Sequence, residues 1–380
     1  MDKVVVFGGG GRVGAQIATE LLRAGLEVVL VDIMPGEQLN RRAGRLLIDA
    51  RLAVPASTGG LVVYGGVDAL DGAQVQGILE RERPQLVINY AIPITWDATK
   101  RLPNYRAVSA AGLGAFTPVQ VFTPLVIAAA MARAGLDAPL MVGNLPDITI
   151  PVLAGSGHGE TLASAACGAG NVGLIEAAVR QLVAREFAEP NAIGVDLVAH
   201  HIHWVAPREP GYADDAPFLL RLRRGEEDIT AELDDPRAFM NRAINACYEA
   251  DAGFSSTTGI LASRVARALL DRSGNSYRFH LPAPEGLPGG YPATVRSGQV
   301  QLDLPRVWSR QQAVGAMQQA QQRDGIAAIG EDGTVKFEDY ARDILKQELD
   351  FDLPPAMPPG DIEAVARAQI STLNRAFDAL

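Results

Sequence analysis

Three of the chain's five histidines fall within four positions: His200, His201 and His203. Imidazole is the side chain whose ordinary pKa lies nearest neutrality, so such a run suits general acid/base work. With Cys167 it would also suit a divalent metal. The run lies in Gly194–Val205, where the alternation predicts one strand, with Val195, Leu197, Ala199, His201, His203 and Val205 on one face. Histidines on opposite strand faces cannot all ligate one ion, so proton transfer by His201 is favoured over a metal. His280 falls in Ser276–Leu281, where alternation sets it with Arg278, opposite Tyr277, Phe279 and Leu281, and predicts that it meets solvent.

A second chemistry-bearing set opens the chain. Val4–Phe7 reads as a buried strand, and Gly9-x-Gly11-x-x-Gly14 follows it. Val13, Ile17 and Leu21, with Ala18 and Leu22, then mark one face of a helix. Gly9 permits a tight turn, Gly11 lets backbone approach a pyrophosphate, and Gly14 lets the helix pack on the strand. The helix N-terminus, with Arg12 and Val13, presents N–H groups and a partial positive charge to phosphates. A second strand, Val28–Val31, ends in Asp32, whose carboxylate can accept both ribose hydroxyl protons. Asp32 would repel a 2′-phosphate, and Ile33 and Met34 supply no cation for one. NAD is therefore favoured over NADP, with Arg41 and Arg42 the residues that keep NADP in view.

The elements that must position these groups alternate. Leu61–Tyr64 and Leu86–Asn89 read as strands three and four, joined by a helix over Ala73–Arg83, and Leu140–Asn144 as strand five. Strands alternating with helices predict a parallel sheet covered on both faces, with ligands at the carboxyl ends of its strands. Tyr90 and Ala91 then lie beside the cofactor, and Asn144-Leu145-Pro146-Asp147 lies at the same edge. Thr123-Pro124 reads as a helix start, Thr as N-cap and Pro at the first position. Thr95–Gly114, carrying Lys100, Arg101 and Arg106, reads as an active-site loop or an ordinary solvated connection. The boundary falls near residue 150: residues 1–150 form a nucleotide-binding domain, and residues 151–380 a substrate and catalytic domain of α+β type. In the latter, Asn171–Arg185 is a helix preceded by Cys167-Gly168-Ala169-Gly170. Its Glu176 and Arg180, four apart, read by themselves as a surface pair of about 0.3–0.5 kcal/mol. Gly253–Leu270 is a long helix, Val300–Leu304 and Gly333–Phe337 are short strands, and Phe337–Leu349 is a helix.

Composition excludes other classes. A length of 380 residues predicts two domains. Hydrophobic residues at 48% and charged residues at 21% are ordinary for a soluble globular chain. A net charge of −10 with no sustained basic stripe argues against a nucleic-acid partner. No apolar run of membrane-spanning length is expected, and the chain enters a strand at once with no signal peptide, so the expected location is cytoplasmic. The two cysteines, Cys167 and Cys247, form no disulfide framework or zinc spacing and fit a reducing compartment.

In this order the features resemble the lactate/malate dehydrogenase superfamily, which also includes the NAD-dependent family-four glycosidases. The likeness rests on Gly9-x-Gly11-x-x-Gly14 with Asp32, and on Asn144-Leu145-Pro146-Asp147, which is similar to the family's Asn-Pro-x-Asp. Val198-Ala199-His200-His201-Ile202-His203-Trp204 is closer to the glycosidase Gly-Leu-Asn-His-aromatic form than to the dehydrogenase Gly-Glu-His-Gly. Thr257-Thr258-Gly259 opens the long helix as in the dehydrogenases, and Val300–Pro305 followed by Gly333-Thr334-Val335 resembles their closing hairpin region. The resemblance implies an α/β fold, an N-terminal Rossmann sheet with a C-terminal α+β domain of lactate/malate dehydrogenase type. It also implies a homo-oligomer.

The resemblance puts His201 at the active-site histidine and Asn144 on the substrate oxygen or nicotinamide ribose. Glu176 stands nearest to the family's histidine-orienting carboxylate. Arg180, or Arg101 or Arg106, would bind an anionic substrate group. The dehydrogenase Asp and Arg are three apart, whereas Glu176 and Arg180 are four apart. The glycosidase metal ligand, a Cys before the Asn, is replaced here by Gly170 before Asn171. The implied activity is NAD-dependent oxidoreduction of a small hydroxy acid or sugar derivative. Two alternatives follow: a redox-neutral lyase, epimerase or glycosidase-like enzyme that uses NAD transiently, with or without a metal, and a non-enzymatic sensor of NAD and NADH.

Overall fold

The computed structural model describes residues 2–54, 58–158, 171–208, 213–250 and 255–378. Its first half alternates strand and helix: β1 Lys3–Phe7, α1 Arg12–Arg23, β2 Glu27–Asp32, α2 Gly36–Ala53, β3 Leu61–Gly65, α3 Gly72–Glu82 and β4 Leu86–Asn89. The short helices α4 Trp96–Thr99 and α5 Tyr105–Ser109 lead into α6 Thr117–Arg133, then β5 Leu140–Val142 and α7 Pro146–Leu153. The five strands form one parallel sheet in the order β3-β2-β1-β4-β5. Val4, Val5 and Val6 of β1 and Val28, Val29 and Leu30 of β2 are fully buried, as expected where helices cover both faces.

The second half runs α8 Asn171–Glu186, β6 Ile193–Val198, α9 Ile202–Val205, β7 Leu219–Arg224, β8 Glu227–Asp228, α10 Pro236–Ala250, α11 Ser255–Leu270, β9 Ser276–Pro282, β10 Gly290–Arg296 and β11 Gln299–Leu302. It closes with α12 Arg310–Gln322, β12 Ile326–Ile329, β13 Val335–Phe337, α13 Asp339–Leu349, β14 Ala356–Met357 and α14 Ile362–Asp378. Three small sheets, β6-β7-β8, β9-β10-β11 and β12-β13-β14, are antiparallel.

Residues beyond 150 contribute to the layers on both faces of the parallel sheet. On one face Val5, Val29 and Val87 join a core with Phe122 of α6, Ile326, Val335, Leu345 and Leu373. On the other, Val4, Leu30 and Ile88 join α1 and α2 with Val265 and Leu269 of α11 and Leu281 of β9. The chain's last third therefore lies against its first.

Helix α6 departs from the sequence expectation in two ways. It begins at Thr117, after Phe116 as N-cap, with Pro118 in its first turn, so Thr123-Pro124 is not the start and Pro124 lies inside the helix. The 21-residue stretch Leu113–Arg133 also has the length and mean hydropathy, 1.6, of a membrane span. Most of it is buried in the protein, and a helix apolar all round is what a central core position requires.

Candidate active site

The β1–α1 turn is shaped by close backbone approach. Gly8 carries the positive φ, +75°, one residue before the expected Gly9, and a Cβ there would meet Ala91 N at 2.6 Å. A Cβ at Gly14 would lie 2.2 Å from Gly8 O, and one at Gly9 would lie 2.6 Å from Leu30 Cδ2. Gly11 is different: among the described residues only Gly8 O comes near, at 3.1 Å. Gly11 is the N-cap, and the first intrahelical bond runs from Ala15 N to Gly11 O. The N–H groups of Arg12, Val13 and Gly14 thus form the start of α1.

Asp32 ends β2 facing this turn. Its Oδ2 accepts Gly10 N–H at 2.8 Å and its Oδ1 accepts Met34 N–H at 2.9 Å, so it holds the glycine loop as well as lining the groove above it. Gly8, Gly11, Asp32, Asp68, Tyr90, Ala91 and Thr123 line that groove. The Tyr90 ring lies against Gly143, where a Cβ would meet it at 2.3 Å. Ala91 is tied down by two amides: Asn144 Nδ2 donates to Ala91 O at 2.9 Å, and Asn89 Oδ1 accepts Ala91 N–H at 3.1 Å. Asn89 Nδ2 also donates to Asn144 Oδ1 at 2.9 Å. Asn144 therefore clamps the ends of β4 and β5 together. Asn89, which the sequence reading left unassigned, is its partner.

Three residues past Asn144 stands the group that orients His201. Asp147, buried in the first turn of α7, places its oxygens 3.0 and 2.9 Å from His201 Nδ1 and accepts His201 N–H at 2.8 Å. On the opposite side of the ring, His201 Nε2 is 2.9 Å from Asp324 Oδ2. Burial disfavours a charged imidazole, but the two carboxylates outweigh it and push His201 up to about 10. Burial acts against the Asp147 carboxylate too, and the charge on His201, with the hydrogen bonds from its ring and backbone, holds it below the ordinary range.

The neighbouring histidines differ. His203 Nδ1 accepts the His200 N–H at 3.0 Å, and its Nε2 donates to Ala216 O at 3.2 Å. Burial depresses His200 and His203 to about 4 each, with the His201 charge adding to the effect. Ligand atoms of Asp147, His200 and His201 come within 4.8 Å of one another. Both His201 nitrogens already have carboxylates beside them and both His203 nitrogens are engaged by backbone groups, so this arrangement suits proton transfer better than metal ligation. Cys167, with Gly168, Ala169 and Gly170, lies outside the described residues.

Several expectations are corrected here. Gly194–Val205 is not one strand: β6 ends at Val198, and the chain turns into α9 where Asp147 captures the His201 N–H. His201 and His203 owe their positions to that turn, not to alternation. Glu176 is not the partner of His201. It pairs with Arg180 and lies 3.9 Å from His280 Nδ1, and burial raises its pKa. Arg180 is thus held on the outer side of α8, half exposed. His280 is buried, and its Nε2 accepts Leu197 N–H at 3.1 Å, because α8 and β6 cover the face of β9 that alternation assigns to solvent. Arg101 sits over the Phe377 ring of α14, and Arg106 is exposed on α5. The segment between them is packed: Trp96 meets Tyr105 and Phe116 edge-on, and Asn104 donates to Glu348 O at 2.8 Å.

No family model matches the sequence, and no curated protein matches it. Solved structures do match. A lactate dehydrogenase from Eimeria maxima, solved with NADH and oxamate, superposes with a TM-score of 0.55 at 15% identity over 84% of this chain and 90% of its own. A malate dehydrogenase from Cryptosporidium parvum gives 0.54 at 14%, over 85% and 98%. One from Aeropyrum pernix gives 0.55 at 15%, over 84% and 97%. At these identities the likeness is one of architecture: the chain has the fold of the lactate and malate dehydrogenases.

Proposed function

We propose that this chain is an NAD-dependent oxidoreductase acting on a small hydroxy or carbonyl compound, with His201 as the acid/base. One observation carries the reading. The buried Asp147–His201 pair and the glycine turn with Asp32 are joined at the carboxyl edge of one parallel sheet through Asn144, which touches Ala91 of the groove and stands three residues from Asp147.

In this reading the start of α1, from Gly11 through Arg12 and Val13 to Gly14, holds the pyrophosphate, and Asp32 holds the adenosine ribose. Tyr90, Ala91 and Asn144 bound the nicotinamide end. A bound nicotinamide supplies or accepts the hydride. His201 moves the accompanying proton at Nε2, and Asp147 fixes the ring through Nδ1 and favours its charged form. The dehydrogenase fold and the NADH held by the Eimeria maxima structure support this assignment. The substrate class within hydroxy acids and sugar derivatives is set by groups around Nε2.

The experiment is calorimetry with NAD and NADH, followed by absorbance assays on a panel of hydroxy acids, keto acids and sugar derivatives. Micromolar nucleotide binding, turnover of at least one compound, and loss of turnover but not of binding in His201→Gln are expected. An unchanged rate in that variant excludes His201 from proton transfer. Undiminished activity after exhaustive chelation is expected as well.

A further inference from the structure

Asp324 comes from the turn between α12 and β12, near the far end of the chain from the nucleotide turn, yet it reaches His201 Nε2 at 2.9 Å. We propose that Asp324 is a positioning residue that keeps His201 a proton donor, so that the site is built to protonate a substrate oxygen and the chain works as a carbonyl reductase. This rests on the oxidoreductase reading and adds a residue and a direction to it.

The fold goes to some length to place this carboxylate. Asp324 is fully buried, and its Oδ1 accepts Leu113 N–H at 2.9 Å. Its backbone is clasped by glycines: a Cβ at Gly112 or Gly114 would lie 2.3 or 2.4 Å from Asp324 O. Gly112 itself has φ +86°. Gly325, at φ +88°, completes the turn, and a Cβ there would lie 2.5 Å from Ala111 O. Only a chain without side chains at these positions can bring the carboxylate so deep.

A buried imidazole with a carboxylate beside each nitrogen, Asp147 in hydrogen-bond alignment and Asp324 as an ion pair, is held as the cation, because neutralising the ring would leave buried carboxylates without their counter-ion. The groups that face it come from its own segment and from five other elements. Asp147 is on α7, Asp324 on the α12–β12 turn, and His200 and His203 are on its own segment. Farther out, Tyr291 of β10 feels Asp147, Tyr340 of α13 and Arg323 lie near Asp324, and Arg237 of α10 acts on His203. The balance at the ring is two carboxylates to one cation, with both flanking histidines kept neutral by burial.

The two carboxylates hold the ring unequally. Asp147 makes three contacts with His201, including the backbone N–H, whereas Asp324 meets it through one oxygen. A substrate oxygen therefore takes the Nε2 proton in place of Asp324 while Asp147 keeps the ring oriented. In that step the Nε2–H bond breaks and an O–H bond forms, using the electron pair released from the carbonyl C=O π bond. The carbon is reduced at the same time, with the reduced nicotinamide nucleotide as the two-electron donor. His201 is left neutral and regains its proton from solvent.

The test is nitrogen NMR on the full-length chain carrying 15N-histidine, without nucleotide, the His201 signals assigned by their loss in His201→Gln. Both His201 nitrogens should stay protonated from pH 6 to 9, and Asp324→Asn should lower the titration midpoint by about 1–3 units. A His201 that is neutral at pH 8, or a midpoint unmoved in Asp324→Asn, overturns the proposal. Should that variant not fold, the wild-type titration decides alone. Kinetics give the second arm: carbonyl reduction flat to about pH 9, and Asp324→Asn raising alcohol oxidation at pH 7 at least about tenfold. A wild-type oxidation rate at pH 7 that the variant leaves unchanged counts against the direction proposed. Failure to turn over any compound would refute the oxidoreductase reading instead, and the imidazole titration still decides the role of Asp324.

Discussion

His201 Nδ1 lies 2.9 Å from Asp147 Oδ2, and the same carboxylate accepts the His201 backbone N–H, although the two residues are 54 apart in sequence. Asp147 follows the fifth strand of the parallel sheet, so the residue that orients His201 is rooted in the same sheet that carries the glycine turn. Position and protonation of the imidazole are set together.

Asp147→Asn keeps the shape and one acceptor but removes the charge. The imidazole loses its strongest orienting bond and its cation loses a partner. Turnover is expected to fall by about 10²–10⁴. Nucleotide affinity should stay within about threefold, since it is Asn144, not Asp147, that holds Ala91 of the groove. Calorimetry and single-turnover kinetics on the same preparation separate the two, and equal losses in both would show that Asp147 only supports the fold.

The glycine turn offers a contrast between two substitutions of the same size. At Gly14 an alanine Cβ would fall 2.2 Å from Gly8 O, so backbone must move, and a loss of about 1–3 kcal/mol of stability is expected. At Gly11 the only near atom among the described residues is 3.1 Å away, so Gly11→Ala should melt within a few degrees of the wild type. Its methyl instead intrudes where a pyrophosphate approaches, and nucleotide affinity should drop at least about tenfold. Thermal melts with and without NADH distinguish these outcomes.

Asp32 has two tasks in one carboxylate: it fixes Gly10 and Met34 by their N–H groups and faces the groove. Asp32→Ala should cost about 1.5–3 kcal/mol in nucleotide binding, since it removes charge-assisted bonds from both loop and ligand. The preference for NAD over NADP should narrow, because the repulsion of a 2′-phosphate goes with the carboxylate. An unaltered ratio of the two dissociation constants would remove Asp32 from that choice.

Arg180 separates the structure's account from the resemblance. It is paired with Glu176 on the outer side of α8, whereas His201 is paired with Asp147 and Asp324. Arg180→Ala is therefore expected to leave kcat/KM within about twofold. A residue clamping a substrate carboxylate would cost 2–5 kcal/mol when truncated, which is a loss of about 30-fold or more. Steady-state kinetics on the best substrate of the panel reads the difference directly.

What was legible in the sequence follows from how local each signal is. The parallel sheet, the glycine turn and Asp32 are encoded in short apolar runs and fixed spacings, and the structure reproduces them. The clustering of three histidines and the family resemblance singled out His201, though the strand argument for its face fails because β6 stops at Val198. Asp147 stood inside a motif already noted, three residues from Asn144, but its partner could not be read from spacing because the contact spans 54 residues. Asp324 gave no signal at all, since an Asp-Gly turn between a helix and a strand is ordinary until the chain's last third is seen folded against its first. His280 shows the same limit: alternation assigns faces, but whether a face meets water depends on what α8 covers.

The buried histidines impose opposite pH dependences on stability. His200, His203 and His280 are depressed to about 4, 4 and 3, chiefly by burial, from an unfolded value near 6.5. The unfolded chain takes up their protons first, so their stabilisation is complete above about pH 6.5 and is lost as pH falls toward 4. Each contributes a slope of up to about 1.4 kcal/mol per pH unit across that window. His201, raised to about 10, acts the other way: its stabilisation is complete below about 6.5 and is lost as pH rises toward 10. Stability should therefore peak near pH 6.5–7, with the acid limb steeper because these three histidines, and His158 which burial also lowers, act there against His201 alone. Urea titrations from pH 4.5 to 10 give the profile. His280→Gln can still accept Leu197 N–H without ever gaining a proton, so it should flatten the acid limb and leave the alkaline limb in place. An acid limb as steep in that variant as in the wild type would mean that His280 is already charged or exposed in the native chain.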